Sequence, residues 1–222
     1  DENSGIAGYE YALGTTSGGT ETISWTSAST SNSVSLSSLT LSERSTYYVS
    51  VRATDGAGNV SSVLTGDGIY IDLTNPVAGT VIDGTTADIS YTPSSSTLTF
   101  TWSNFSDAES GIEYYNASIE DDDGNSVVAV TNVGTVTTWT VNNLSLVNAK
   151  TYEGVIQAVD YAGNVSTEVS SSVIVDTDGP VAGQVADRDN NDVEWISSTS
   201  TTNIHWENFS DTLSGIDHYE YA

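Results

Sequence analysis

The sequence predicts an all-β protein, and three observations carry that prediction. Apolar and polar residues alternate with a period of two, clusters of turn-forming residues separate the apolar stretches, and no stretch has helical spacing. The chain also repeats itself at domain length. Ser4 and Ser110 lie 106 positions apart, Ser110 and Ser214 104, Tyr47 and Tyr152 105, and Pro76 and Pro180 104. A period that long describes a whole domain rather than the rung of a solenoid.

The elements follow in order. In Thr46–Ala53 the alternation puts Tyr47, Val49, Val51 and Ala53 on one face, and in Thr151–Ala158 it does the same for Tyr152, Gly154, Ile156 and Ala158. Leu98, Phe100 and Trp102 alternate likewise, as do Ile204 and Trp206. These β-branched and aromatic positions suit half-buried antiparallel strands. Ser17-Gly18-Gly19 and Asp121-Asp122-Asp123-Gly124 supply turns. The middle copy reads as seven strands, around 77–82, 97–103, 112–119, 126–132, 137–142, 151–159 and 168–175. Seven short strands in about 100 residues point to an immunoglobulin-like sandwich. The chain then divides into 1–75, the last five strands of one sandwich; 76–179, a complete one; and 180–222, the first two strands and part of a third.

Two details refine the sandwich. Leu144 and Leu146 precede Tyr152 as Leu39 and Leu41 precede Tyr47, the pattern of a tyrosine corner in which the phenol bonds back to upstream backbone. Trp102 occupies the second strand, and a Tyr-x-x-x-x-x-Ala-x-Asp-x-Ala-Gly-Asn run extends from Tyr152 to Asn164. On these residues the chain resembles fibronectin type III and bacterial immunoglobulin-like tandem repeats of large cell-surface adhesins or extracellular filaments. The resemblance implies an extracellular or cell-surface location and a structural, non-enzymatic role: spacing and stiffness. A carbohydrate- or receptor-binding adhesin module, with surface glycans or receptors as partners, is the alternative. An accessory domain of a secreted hydrolase is a third.

Charge narrows the partners. Thirty acidic residues stand against Arg44, Arg52, Lys150 and Arg188, a net charge of −26. Such a chain is repelled by nucleic acid and by anionic lipid, and no apolar run reaches the length of a membrane helix. Neither nucleic-acid binding nor membrane insertion is expected. Self-repulsion opposes compaction unless cations relieve it.

The acidic turns recur: Asp1 to Ile6, Asp107 to Ile112 and Asp211 to Ile216 share Asp-x-x-Ser-Gly-Ile, and Asp55 to Asn59 matches Asp160 to Asn164 at four of five positions. In a type III sandwich the loops after the second and sixth strands lie at the pole where the chain enters. Asp72, Asn75, Asp107, Glu109, Asp160 and Asn164 are therefore expected together as oxygen ligands for Ca²⁺, whose coordination shell takes six to eight. Asp176, Asp178 and Asp211 correspond at the next entry, and Asp1, Asp55 and Asn59 in the first copy. The same residues also serve as turn formers without any metal. Asn59, Asn104, Asn116, Asn143, Asn164 and Asn208 head Asn-x-Ser/Thr sequons, candidates for glycosylation.

Catalytic signals are weak. There is no cysteine, and His205 and His218 have no counterparts in the other copies. Asp1–Ala12 matches Asp211–Ala222 at eight of twelve positions, which suggests a two-domain unit of about 210 residues in a longer array. Further copies of the chain are the expected partners. Either the sequence belongs to a tandem filament, or 180–222 of one chain packs on 1–75 of the next.

Overall fold

The computed structural model describes residues 4–187, 194, 195, 197, 198 and 200–221. Every regular element among them is a strand. They separate into two compact units. The first takes in the chain up to Asn75 together with Asp107–Gly111 and Asp160–Asn164, and the second takes in the rest.

The first unit is built on one antiparallel sheet. Its strands are β1 (Ile6–Gly14), β2 (Ile23–Ser29), β3 (Thr46–Asp55), β4 (Leu64–Thr65) and β5 (Ile69–Tyr70), ordered β2-β1-β3-β4 with β5 also paired to β3. Register places Tyr9 opposite Ala53, Tyr11 opposite Val51 and Leu13 opposite Val49, so one face collects these apolar side chains. Tyr47 is buried, and its hydroxyl accepts the Ser42 amide at 2.9 Å, the expected tyrosine corner.

The second unit contains a two-sheet sandwich. Strands β6 (Thr80–Asp83), β8 (Leu98–Ser103) and β11 (Thr138–Val141) form one sheet in the order β11-β8-β6. Strands β9 (Ile112–Asp121), β10 (Ser126–Gly134), β12 (Thr151–Asp160), β13 (Val169–Val175) and β7 (Tyr91–Thr92) form the other, ordered β10-β9-β12-β13-β7. Three strands facing four long ones, with the two-residue β7 added at the edge of the larger sheet, is the strand order of an immunoglobulin-like sandwich of the fibronectin type III kind. The seven strands read from the sequence are all there. The first begins at Thr80, later than expected, because Val77 makes only an isolated pairing with Ser106. Strand β7, two residues running parallel to β13, was not expected.

Alternation fills the space between the sheets. Leu98, Phe100 and Trp102 of β8 meet Tyr115, Ala117 and Ile119 of β9 and Tyr152, Ile156 and Ala158 of β12, all buried. Trp102 and Phe105 each pack edge-on to Tyr115 with ring centroids 5.4 Å apart. Burying a side chain of this size contributes roughly 1.5–3 kcal/mol. Tyr152 completes a second corner, its hydroxyl accepting the Val147 amide at 2.9 Å over buried Leu146. Among the described residues the matching strand of the first unit is less fully covered: Tyr47 is buried but Val51 is 39% exposed. The second unit also holds an antiparallel pair, β14 (Gln184–Ala186) with β15 (His205–Glu207), and Tyr219 lies 5.8 Å from both Trp206 and Phe209.

Candidate metal centre

Three carboxylates from distant parts of the sequence meet in the first unit. Asp72 follows β5, Asp107 opens the turn before β9, and Asp160 ends β12. Each offers a carboxylate oxygen, and these oxygens lie within 4.8 Å of one another. Asp72 and Asp160 are buried and Asp107 is half-buried.

Backbone chemistry explains why each is there. Asp107 Oδ1 accepts the amides of Glu109 (3.1 Å), Ser110 (2.8 Å) and Gly111 (2.8 Å), closing the Ser-Gly-Ile turn. Asp160 Oδ1 accepts the amides of Ala162 (2.9 Å) and Asn164 (2.8 Å), while its Oδ2 accepts the Asn164 side-chain amide at 2.9 Å. Asp72 accepts the Thr74 amide on Oδ1 (3.0 Å) and the Ser110 amide on Oδ2 (3.1 Å). Turn chemistry thus accounts for every one of these positions.

The same bonds tie the three segments into one cluster. Asn164 Nδ2 also donates to the Asp72 carbonyl at 3.2 Å, and Tyr161 donates its amide to the Gly111 carbonyl. Arg44 reaches Glu109 at 2.6 Å, and the Thr74 hydroxyl donates to Glu43. The segment 72–74 is held from both sides.

Electrostatics favour the ionised state of Asp72. The Ser110 side chain, whose hydroxyl lies beside Asp72 without a directed bond, holds the Asp72 carboxyl below the usual range; the Thr74 and Ser110 amides and the Arg44 charge add to this, and burial opposes it. Amide donors therefore supply much of the compensation that a cation would otherwise provide. Asp107 Oδ2 carries no hydrogen bond among the described residues and remains open to a ligand. Asn164 uses its side-chain nitrogen as a donor, and Glu109 is engaged by Arg44. Asn75 is exposed and takes no part in the three-carboxylate group.

The other expected positions are not gathered in this way. Asp55 repeats the Asp160 turn: its Oδ1 accepts the Ala57 and Asn59 amides and its Oδ2 the Asn59 side chain. Those bonds, the Asn59 side chain first, lower its pKa to about 2. Asp211 repeats the Asp107 turn, accepting the Leu213, Ser214 and Gly215 amides. Asp176 is buried and accepts the Asp178 amide on Oδ1, while Asp178 accepts Asn148. Asp1 lies outside the described residues.

A second acidic group went unread in the sequence. Asp121, Asp122 and Asp123 cluster around Lys150, whose Nζ lies 2.9, 3.6 and 2.6 Å from their respective carboxylates. The sequence showed the aspartate run but not that Lys150, 27 positions beyond Asp123, returns to it. Of the sequons, Asn104, Asn143 and Asn208 adopt left-handed turn conformations, Asn116 is half-buried on β9, and Asn59 and Asn164 donate their side-chain nitrogens to neighbouring aspartates. The His205 ring lies 3.8 Å from Glu207, on its own strand.

Comparison with known proteins adds the following. No protein-family model matches the chain. It is 29% identical over 225 residues to Exoglucanase B of Cellulomonas fimi, an alignment covering 96% of this chain and 19% of that protein. The chain thus spans about a fifth of the length of that relative. Among solved structures, the FN1–FN3 domains of chicken CNTN1 align over 76% of this chain and 56% of theirs, with a TM-score of 0.43 and 16% identity. The twitchin kinase region of C. elegans aligns over 49% of this chain and 19% of its own, with a TM-score of 0.35 and 16% identity.

Proposed function

We propose that the chain is a structural repeat segment of an extracellular surface filament or adhesin, in which type III-like sandwiches set spacing and stiffness. The observation that carries this reading is the fixing of residues 72–74. Where a flexible connection would leave the backbone in water, Asp72 instead accepts Thr74 and Ser110 and is itself held by Asn164. Both loops that supply these bonds belong to turns that recur along the sequence. Further copies in series are the partners in this reading.

Calcium is the proposed cofactor, at Asp72, Asp107 and Asp160. Three carboxylates this close repel one another, and Ca²⁺ prefers such oxygen donors, completing its shell with carbonyls and water. In its absence the amide donors keep the turns formed.

A second reading is favoured by the resemblance to an exoglucanase over nearly the whole chain. In it the sandwiches are non-catalytic accessory modules of a secreted hydrolase. Small-angle scattering on the 222-residue chain and on Asp72→Ala tests the spacer reading. The variant loses the two bonds that the Asp72 carboxylate accepts, from Thr74 and Ser110, while the Asn164 bond to its carbonyl remains, so its distribution of interatomic distances should broaden. An unchanged distribution, together with retention of the protein on cellulose, would transfer support to the accessory reading.

A further inference from the structure

One buried carboxylate lies apart from the acidic turns. Asp83 ends β6 and is only 1% exposed. Its Oδ1 accepts the Ile89 amide at 2.8 Å, while its Oδ2 is shielded from solvent and has no hydrogen-bond partner. Its own amide donates to Asp88 Oδ1 (3.2 Å) and to Ser171 Oγ (3.1 Å), and the Ser171 hydroxyl donates to the same Asp88 oxygen at 2.9 Å. Residues 84–89 therefore form a loop folded back on its own start and fastened through Asp88 to β13. Gly84 permits the fold: its φ is +107°, and a Cβ there would lie 2.6 Å from the Ala87 carbonyl oxygen.

An ionised carboxylate with a buried, unpaired oxygen beside a second carboxylate is a costly arrangement. A proton on Asp83 Oδ2 removes the charge and turns the orphan acceptor into a donor for Asp88. We propose that Asp83 and Asp88 share one proton, and that this proton latches the 84–89 loop against β13. Burial, and after it the neighbouring Asp88, raises the Asp83 pKa to about 6, while the hydrogen bond from Asp83 is the first cause holding Asp88 below its ordinary value. The nearest other carboxylates in the sequence of the flanking strands are Glu153 of β12, opposite Ser172, and Glu168, just before β13. Strands β6, β8 and β13 carry no further titratable residue, and β7 contributes only Tyr91. The spacing returns 104 positions on, as Asp187 and Asp192.

The direction of the pH dependence follows from linkage. Folded Asp83 keeps its proton to about pH 6, whereas an unfolded aspartate loses it near 3.8. The stabilisation is therefore complete below about pH 3.8 and drains away as pH rises through about 6. Above that, two facing carboxylates loosen the loop. The depressed Asp88 works in the opposite sense, with stability lost as pH falls through its folded value, so the difference between variants is the quantity to measure.

Asp83→Asn keeps the shape and donates to Asp88 permanently. It is expected to melt above the wild type at pH 7.5, by on the order of 5 °C, and to converge with it near pH 4. Wild-type and variant melting curves that stay parallel from pH 4 to 8 would overturn the latch. Carbon-13 titration of the Asp83 carboxyl in the folded wild type gives an independent reading. Its midpoint should lie near 6 and fall in Asp88→Asn; a wild-type midpoint near the ordinary aspartate value, or one that Asp88→Asn does not move, refutes the shared proton.

Discussion

Gly154 offers the sharpest test of how the sandwich is packed. It sits on the inward face of β12 between Tyr152 and Ile156, and a Cβ there would lie 2.5–2.6 Å from Cδ1, Cε1 and Cγ of Phe100. Phe100 is fully buried, so its ring has no solvent to swing into. Gly154→Ala recovers roughly 0.5–1 kcal/mol of backbone entropy in a strand. It incurs about 1–3 kcal/mol of overpacking. The net expectation is a loss of about 1–2 kcal/mol, a fall in Tm on the order of 5–10 °C for a domain of this size. Phe100→Ala alone should cost about 3–5 kcal/mol. In that background the added methyl enters the vacated space, so the double variant should be no less stable than Phe100→Ala. Urea unfolding of all four chains measures the coupling, expected at about 1–2 kcal/mol. Additivity within about 0.5 kcal/mol would refute the claim that Phe100 is the reason for glycine at this position.

Tyr152→Phe and Tyr47→Phe each remove the acceptor for one upstream amide, Val147 and Ser42 respectively, and each should cost about 1–2 kcal/mol in thermal unfolding. Calcium at constant ionic strength should raise the Tm of the wild type. Asp107→Asn, which retains Oδ1 for its three amide bonds but loses the open charged oxygen, should abolish that rise; an equal rise in both chains would place the ion elsewhere.

Much of this architecture is legible in the amino-acid sequence, and what is not legible is informative. Alternation located β8 and β12 because their inward residues face a second sheet and must be apolar. It could not show that the same pattern in β3 would leave Val51 exposed, since cover depends on partners rather than on the strand itself. Strand β7 was missed because two residues carry no period. Gly154 read simply as an inward position, although Val49 takes the equivalent place after Tyr47; only the Phe100 ring explains the difference. The acidic turns were legible as turns through Asp-x-x-Ser-Gly and Asp-x-Ala-Gly-Asn. Their meeting with Asp72 was an expectation from topology, and the amide donors that compensate them were invisible in the sequence. Asp83 and Asp88 went unread altogether, because a pair five apart around a glycine has no pattern of its own.

The net charge of −26 bears on the whole chain, and the cluster of Asp72, Asp107 and Asp160 bears on one place, so the two should respond differently to salt. Raising monovalent salt from about 0.01 to 0.15 M shortens the Debye length from roughly 30 to 8 Å. That screens repulsion between distant surface carboxylates. It leaves oxygens within 4.8 Å of one another, two of the three residues being buried, largely unscreened. Sodium should therefore raise the Tm of the wild type and of Asp107→Asn by the same amount, because both lose the same long-range repulsion. Calcium, in the proposed coordination by these carboxylates, should separate them. If sodium at matched ionic strength reproduced the calcium effect in full, the three carboxylates would be turn residues alone, held by the amides of Thr74, Glu109, Ser110, Gly111, Ala162 and Asn164, with no role for a metal.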